Sequence, residues 1–202
     1  VGWDIATVDE LRSETHFSLA YSPEGQAGIV YINKNMEFNY TELTGETWES
    51  PDNLPEVAGE FVDHVSLSYN PDGQPAIAGT NIFGQVAYAQ YDGESWQTYR
   101  HLGEGWRFTS LSHRPDRKPA IGFSNGTDLK YAVYDEENWA TQTAFENPIH
   151  QGFSLSHAPD GKPAFSLWNE RAKKLYFLAY DGAVWDWTLI DEVSSFEYGF
   201  TS

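Results

Sequence analysis

An eight-residue pattern returns through the chain at a period of about 45 residues, and that repeat limits the folds open to it. Ser18-Leu19-Ala20-Tyr21-Ser22-Pro23-Glu24-Gly25 reappears as Ser66-Leu67-Ser68-Tyr69-Asn70-Pro71-Asp72-Gly73. It returns again as Ser110-Leu111-Ser112-His113-Arg114-Pro115-Asp116-Arg117 and as Ser154-Leu155-Ser156-His157-Ala158-Pro159-Asp160-Gly161. The opening serines are spaced 48, 44 and 44 residues apart. An asparagine stands 15 residues after each (Asn33, Asn81, Asn125, Asn169), and a tryptophan follows 14 to 16 residues later (Trp48, Trp96, Trp139, Trp185).

Within one period the pattern is that of four short strands, and helical spacing of apolar residues is absent. In the second copy, strand A is expected near Val65–Tyr69, B near Ala76–Thr80, C near Gln85–Tyr91 and D near Ser95–Arg100. Pro-Asp-Gly between A and B supplies a fixed φ, a side chain that bonds the local backbone, and a residue free to take positive φ. Asp92-Gly93 and Asp181-Gly182 play the same part between C and D. Strand C alternates in the third copy, with Leu129, Tyr131 and Val133 on one face and Lys130, Ala132 and Tyr134 on the other. An aromatic residue recurs eight positions before each strand D tryptophan (Tyr40, Tyr88, Tyr131, Phe177), as expected if adjacent sheets pack through one repeated contact.

A four-stranded antiparallel unit repeated every 40 to 50 residues is the sequence form of a β-propeller blade, so the fold class is all-β. The units S-L-x-[YH]-x-P-[DE]-G-x-P-A-I, then N, then L-x-Y-x-x-Y-D-G-x-x-W, resemble the short blades of bacterial propellers and of propeller lectins of the tachylectin and fungal fucose-lectin types. The resemblance covers nearly the whole chain and implies a binding module that recognises carbohydrate or glycoconjugate. The Gly-His and Trp-Asp pair of WD40, the double glycine of kelch and the Asp-box of sialidases are missing.

Residues 1–202 read as a single propeller domain of four full blades with partial strands at both ends. Trp3–Val8 aligns with a strand D, and Phe200-Thr201-Ser202 with the opening of a strand A. Three arrangements stay open: four blades closing alone, copies associating as a homo-oligomer, or a longer chain supplying its remaining blades.

Composition narrows the partners. Thirty acidic side chains against 12 basic ones give a formal charge of −18, which disfavours nucleic acid and anionic membranes. No apolar run is long enough to span a bilayer, and Val1 opens no signal-peptide pattern. Cysteine is absent, which excludes disulfides and thiolate metal sites; no cofactor and no metal site are expected. Between Lys34 and Arg100 there is no Lys or Arg, whereas Arg107, Arg114, Arg117 and Lys118 cluster around the third strand A. An acidic surface of this kind suits an extracellular or cell-surface setting.

In a propeller the D–A and B–C loops share one face, and the A–B and C–D turns share the other. The turns are nearly uniform, whereas the loops vary, which directs the search for a ligand site to the loop face and the channel mouth. Residues that break the repeat there are Trp106, Arg107, Trp168, Arg171 and Phe83, as aromatic stackers and hydrogen-bond donors for sugars. The repeated Asn33, Asn81, Asn125 and Asn169 are either ligand contacts or hairpin residues. His16, His64 and Asp63 could meet near the axis, while His113 and His157, which replace Tyr21 and Tyr69, suggest a hydrogen-bonding aromatic slot rather than a metal ligand set. No catalytic residue is assigned. A protein-interaction scaffold is the first alternative. A glycan-active enzyme using two of Asp63, Glu60, Glu14 and Glu10 is the second.

Overall fold

A computed structural model of the chain describes residues 7–9, 16–35, 38–49, 52–54, 61–81, 83–99, 102–105, 108–135, 137–146 and 152–192. These form four antiparallel sheets in chain order, the blades of a β-propeller. Blade 1 holds β1 (Phe17–Tyr21), β2 (Ala27–Ile32), β3 (Phe38–Thr44), β4 (Thr47–Trp48) and β5 (Asp52–Asn53). Blade 2 is β6 (Phe61–Tyr69), β7 (Pro75–Asn81), β8 (Val86–Tyr91) and β9 (Trp96–Tyr99). Blade 3 is β10 (Thr109–His113), β11 (Pro119–Ser124), β12 (Asp128–Tyr134) and β13 (Trp139–Glu146). Blade 4 is β14 (Phe153–His157), β15 (Pro163–Asn169), β16 (Lys174–Tyr180) and β17 (Trp185–Glu192). Registers repeat with the sequence: Leu19 faces Ile29, Leu67 faces Ile77, Leu111 faces Ile121 and Leu155 faces Phe165.

Turn chemistry sets the hairpins. The A–B turns place Gly25, Gly73 and Gly161 at φ between 81° and 85°, and the third copy puts Arg117 there at φ 72°, in a region costly for a side chain. In the C–D turns the Asp92 carboxylate accepts the backbone N–H groups of Glu94 and Ser95, both at 2.8 Å. Asp135 and Asp181 repeat this, and the backbone donors hold all three carboxyls below the usual aspartate range.

The opening serine of each repeat is a tie between blades. Ser18 Oγ accepts the Leu67 N–H at 3.0 Å, Ser66 Oγ that of Leu111 at 2.9 Å, and Ser110 Oγ that of Leu155 at 2.9 Å. Farther out, the repeated tryptophan packs edge-on against the strand C tyrosine of the preceding blade: Tyr40–Trp96 at 5.5 Å, Tyr88–Trp139 at 5.2 Å and Tyr131–Trp185 at 5.5 Å. The expected repeated contact therefore crosses from one blade to the next. Each such pair adds about 0.5–1.5 kcal/mol beyond the area that it buries.

The core lies between the sheets, in clusters around Val30, Tyr69 and Ile77, around Tyr88, Leu111 and Ile121, and around Tyr131, Leu155 and Phe165. Its ends are uncovered among the described residues. Leu67, Leu111 and Leu155 are each 5% exposed, but the equivalent Leu19 is 54% exposed, between Phe17 at 67% and Tyr21 at 64%. At the other end Phe177 is 44% exposed, while Tyr40, Tyr88 and Tyr131 at the same position are buried. The arc thus shows the leading face of a blade at one end and the trailing face at the other.

Candidate functional site

The junctions that bury the core leave clefts on the face of the A–B and C–D turns. Each wall follows from the repeat: the strand D tryptophan is flanked by the strand C tyrosine of the blade before it and by the last tyrosine of its own strand C. Trp96 lies between Tyr40 and Tyr91, Trp139 between Tyr88 and Tyr134, and Trp185 between Tyr131 and Tyr180. Between blades 1 and 2 the cleft encloses about 340 Å³ and adds Glu42, Glu49 and Gln74 to these aromatics. Between blades 3 and 4 it encloses about 490 Å³ and adds Arg114, Gln142, Asp160 and Lys162 to Tyr131 and Tyr180.

The polar groups are held in place by networks. In the first cleft the hydroxyls of Tyr40 and Tyr69 lie 2.7 Å apart and both lie within hydrogen-bond reach of Glu42 Oε1, sharing two protons among the three contacts, while Gln26 Nε2 donates to Glu42 Oε2 at 3.0 Å. Burial raises both phenols above the usual tyrosine range, and the bond to Glu42 raises them further. In the second cleft Arg114 pairs with Asp116 at 3.0 Å and Lys162 lies 3.6 Å from Asp160. Burial pushes the Tyr131 hydroxyl up to about 12, against the lowering effect of the Arg114 guanidinium. Arg114 Nε and Trp185 Nε1 are buried without a hydrogen-bond partner.

His113 and His157 occupy the hydrogen-bonding aromatic slot that their exchange with tyrosine suggests. His113 Nδ1 meets Ser68 Oγ at 3.1 Å; His157 Nδ1 meets Ser112 Oγ at 3.0 Å, and its Nε2 meets the Tyr131 hydroxyl at 3.2 Å. Burial lowers both imidazoles to about 4, helped at His113 by the charge of His157 and at His157 by that of Arg114. Together with Tyr21 and Tyr69 they line a depression of about 480 Å³ where four A–B turns converge. At the opposite ends of the inner strands, the His16 ring stacks on His64 and His64 on Phe108, both at 3.9 Å. Among the described residues no three His, Cys, Asp or Glu side chains gather to hold a metal ion.

Phe83 and Arg171 are exposed loop residues, and Trp168 is half-buried at the end of β15, where its backbone N–H donates to Gly152 O at 2.9 Å. Three of the asparagines shape their own hairpins: Asn33 Oδ1 accepts the Asn35 N–H, Asn125 Oδ1 those of Thr127 and Asp128, and Asn169 Oδ1 that of Ala172. Asn81 ends β7, its side chain outside the described residues; so is that of Asp63, while Trp106, Arg107, Glu10, Glu14 and Glu60 lie outside them altogether. The sequence does not point to the cleft residues directly, because repeated tyrosines and tryptophans are what packing between sheets alone would require. The signal was present in the strand C aromatic and strand D tryptophan of each unit and in Tyr91, Tyr134 and Tyr180, whose rings line the junctions.

No protein-family model matches the sequence, and no curated protein matches it. Solved structures do match in fold. AofleA from Arthrobotrys oligospora superposes with a TM-score of 0.70 at 12% identity, over 89% of this chain and 57% of that one. The BP39L lectin from Burkholderia pseudomallei gives 0.68 at 14% identity, over 91% and 57%. The Aleuria aurantia lectin, described with a six-bladed β-propeller fold and a fucose recognition mode, gives 0.62 at 15% identity, over 91% and 64%. The chain therefore spans about three fifths of the length of these proteins. At such identities the likeness is one of architecture, and by architecture the described residues are four blades of a β-propeller like those of these proteins.

Proposed function

We propose that the chain is a non-catalytic carbohydrate-binding module that takes sugars in the clefts between its blades. The observation that carries this reading is the cleft of blades 3 and 4, where Tyr131 and Tyr180 stand beside Arg114, Gln142 and Lys162. Ring faces stack on the C–H surfaces of a pyranose, and amide and guanidinium donors bond its hydroxyls. Similarity of fold to lectins supports the reading, as does the exposed, acidic surface for an extracellular or cell-surface setting. The open faces of blades 1 and 4 are proposed to be covered in the working protein, by remaining blades of a longer chain or by a second copy.

Titration of the folded chain with methyl glycosides, followed by amide NMR shifts, tests the site. Shifts at Gly161 and Gly182, lost in Tyr180→Ala, are expected. Shifts confined to the neighbourhood of Phe83, Trp168 and Arg171 would move the site to the loop face. A chain that binds no glycan but captures a folded protein partner would establish the scaffold reading instead.

A further inference from the structure

The clefts occupy equivalent places in the repeat but do not carry equivalent charge. Four positions account for the difference: the residue that begins the A–B turn, one in strand C and one in strand D of the same blade, and one in the A–B turn of the next. Between blades 1 and 2 these are Ser22, Glu42, Glu49 and Gln74, with two acids and no base. Between blades 2 and 3 they are Asn70, Gln90, Gln97 and Lys118, with one base. Between blades 3 and 4 they are Arg114, Val133, Ala140 and Lys162, with two bases and no acid. The turn acid (Glu24, Asp72, Asp116, Asp160) is common to every copy; counting Asp160, which lines the cleft of blades 3 and 4, leaves two bases against one acid there, against two acids and no base between blades 1 and 2.

Resting on the carbohydrate reading above, we propose that the cleft of blades 3 and 4 selects a sugar bearing a carboxylate, and that the cleft of blades 1 and 2 rejects it. Arg114 and Lys162 approach from the two sides of the junction, so a carboxylate between them meets a planar donor pair and an ammonium group. Their present partners are weak competitors: Asp116 is 45% exposed, and Asp160 is 58% exposed and beyond hydrogen-bond distance of Lys162. The overall charge of −18 opposes anions at long range, yet at about 0.15 M salt that field is screened beyond about 8 Å and the cleft's own charges decide. Glu42 and Glu49 leave an acidic sugar no favourable place in the first cleft.

Matched pairs of methyl glycosides test this: galacturonide against galactoside and glucuronide against glucoside, with methyl α-L-fucoside as neutral reference. Amide shifts report the two clefts separately, Gly161 and Gly182 for one and Gly73 and Gly93 for the other. The expected result is an affinity for the uronide roughly tenfold above its neutral congener at Gly161 and Gly182, the factor given by one charge-assisted bond. Lys162→Gln and Arg114→Gln should each bring the uronide-to-neutral affinity ratio to about one, whatever they do to the affinity for the neutral glycoside itself. Lys162 is half-exposed, so its variant folds even if Arg114→Gln does not. Equal binding of both members, or a preference unmoved in Lys162→Gln, overturns the charge selection while the carbohydrate reading stands. Absence of any glycoside shift at either cleft overturns both.

Discussion

Four leucines at one repeated position, with different neighbours, measure what a blade junction is worth. Leu111 is 5% exposed between blades 2 and 3, so truncation to alanine removes three buried carbons and leaves a cavity that two rigid sheets cannot close. The transfer cost of three carbons is about 2.4 kcal/mol, and the cavity raises the total to roughly 3–5 kcal/mol. Leu19 is 54% exposed, so the same substitution forfeits about half of the transfer cost, roughly 1 kcal/mol, and opens no cavity. Urea unfolding followed by tryptophan fluorescence, at two protein concentrations tenfold apart, reads both variants on one scale. A Leu19→Ala loss as large as that of Leu111→Ala would refute the open leading face. If that loss grew with protein concentration, a second copy would be the cover.

Ser110→Ala leaves the Leu155 N–H without its acceptor and should cost about 1–3 kcal/mol, whereas Ser154→Ala, with no blade after it among the described residues, should stay within about 0.5 kcal/mol in the same assay. Both His113 and His157 titrate at about 4 in the folded chain against about 6.5 when unfolded. The unfolded chain therefore takes up protons first, and this share of stability, full above pH 6.5, is lost as pH falls toward 4. Relief of acidic repulsion works the other way, so the test is the difference between the chain and its His113→Gln, His157→Gln double variant at pH 7 and pH 5; an unchanged difference sinks the assignment. Arg117→Gly should stabilise by about 1 kcal/mol, since a left-handed residue costs about 1–2 kcal/mol and the exposed pair with Asp72 returns less; a lower melting temperature would contradict it.

The fold was legible because its determinants are local. Alternation in Leu129–Tyr134, Pro-Asp-Gly at fixed offsets and the returning serine locate strands and hairpins without knowledge of any neighbour. Strand ends came within a few residues of those observed, β6 beginning at Phe61 rather than Val65 because it continues through irregular pairing with β7. The clefts were not legible, since a gap between two sheets depends on how strands some 45 residues apart approach one another. Repetition conceals a double part: the Tyr40, Tyr91 and Trp96 kind of triplet both packs the junction and walls the cleft. Asn125 and Asn169, by contrast, serve their own hairpins, their side-chain oxygens accepting backbone N–H groups two or three residues on.

The serine ties have a consequence for cooperativity. Each couples one blade to the next and to no other, so the arc behaves as a linear array with nearest-neighbour coupling. An inner blade opens only by breaking two couplings, an end blade by breaking one. Hydrogen exchange should therefore protect β7 and β11 longer than β2 and β15, although the four strands have the same place in their sheets. Closing the array into a ring would remove that gradient, since every blade would then have two neighbours.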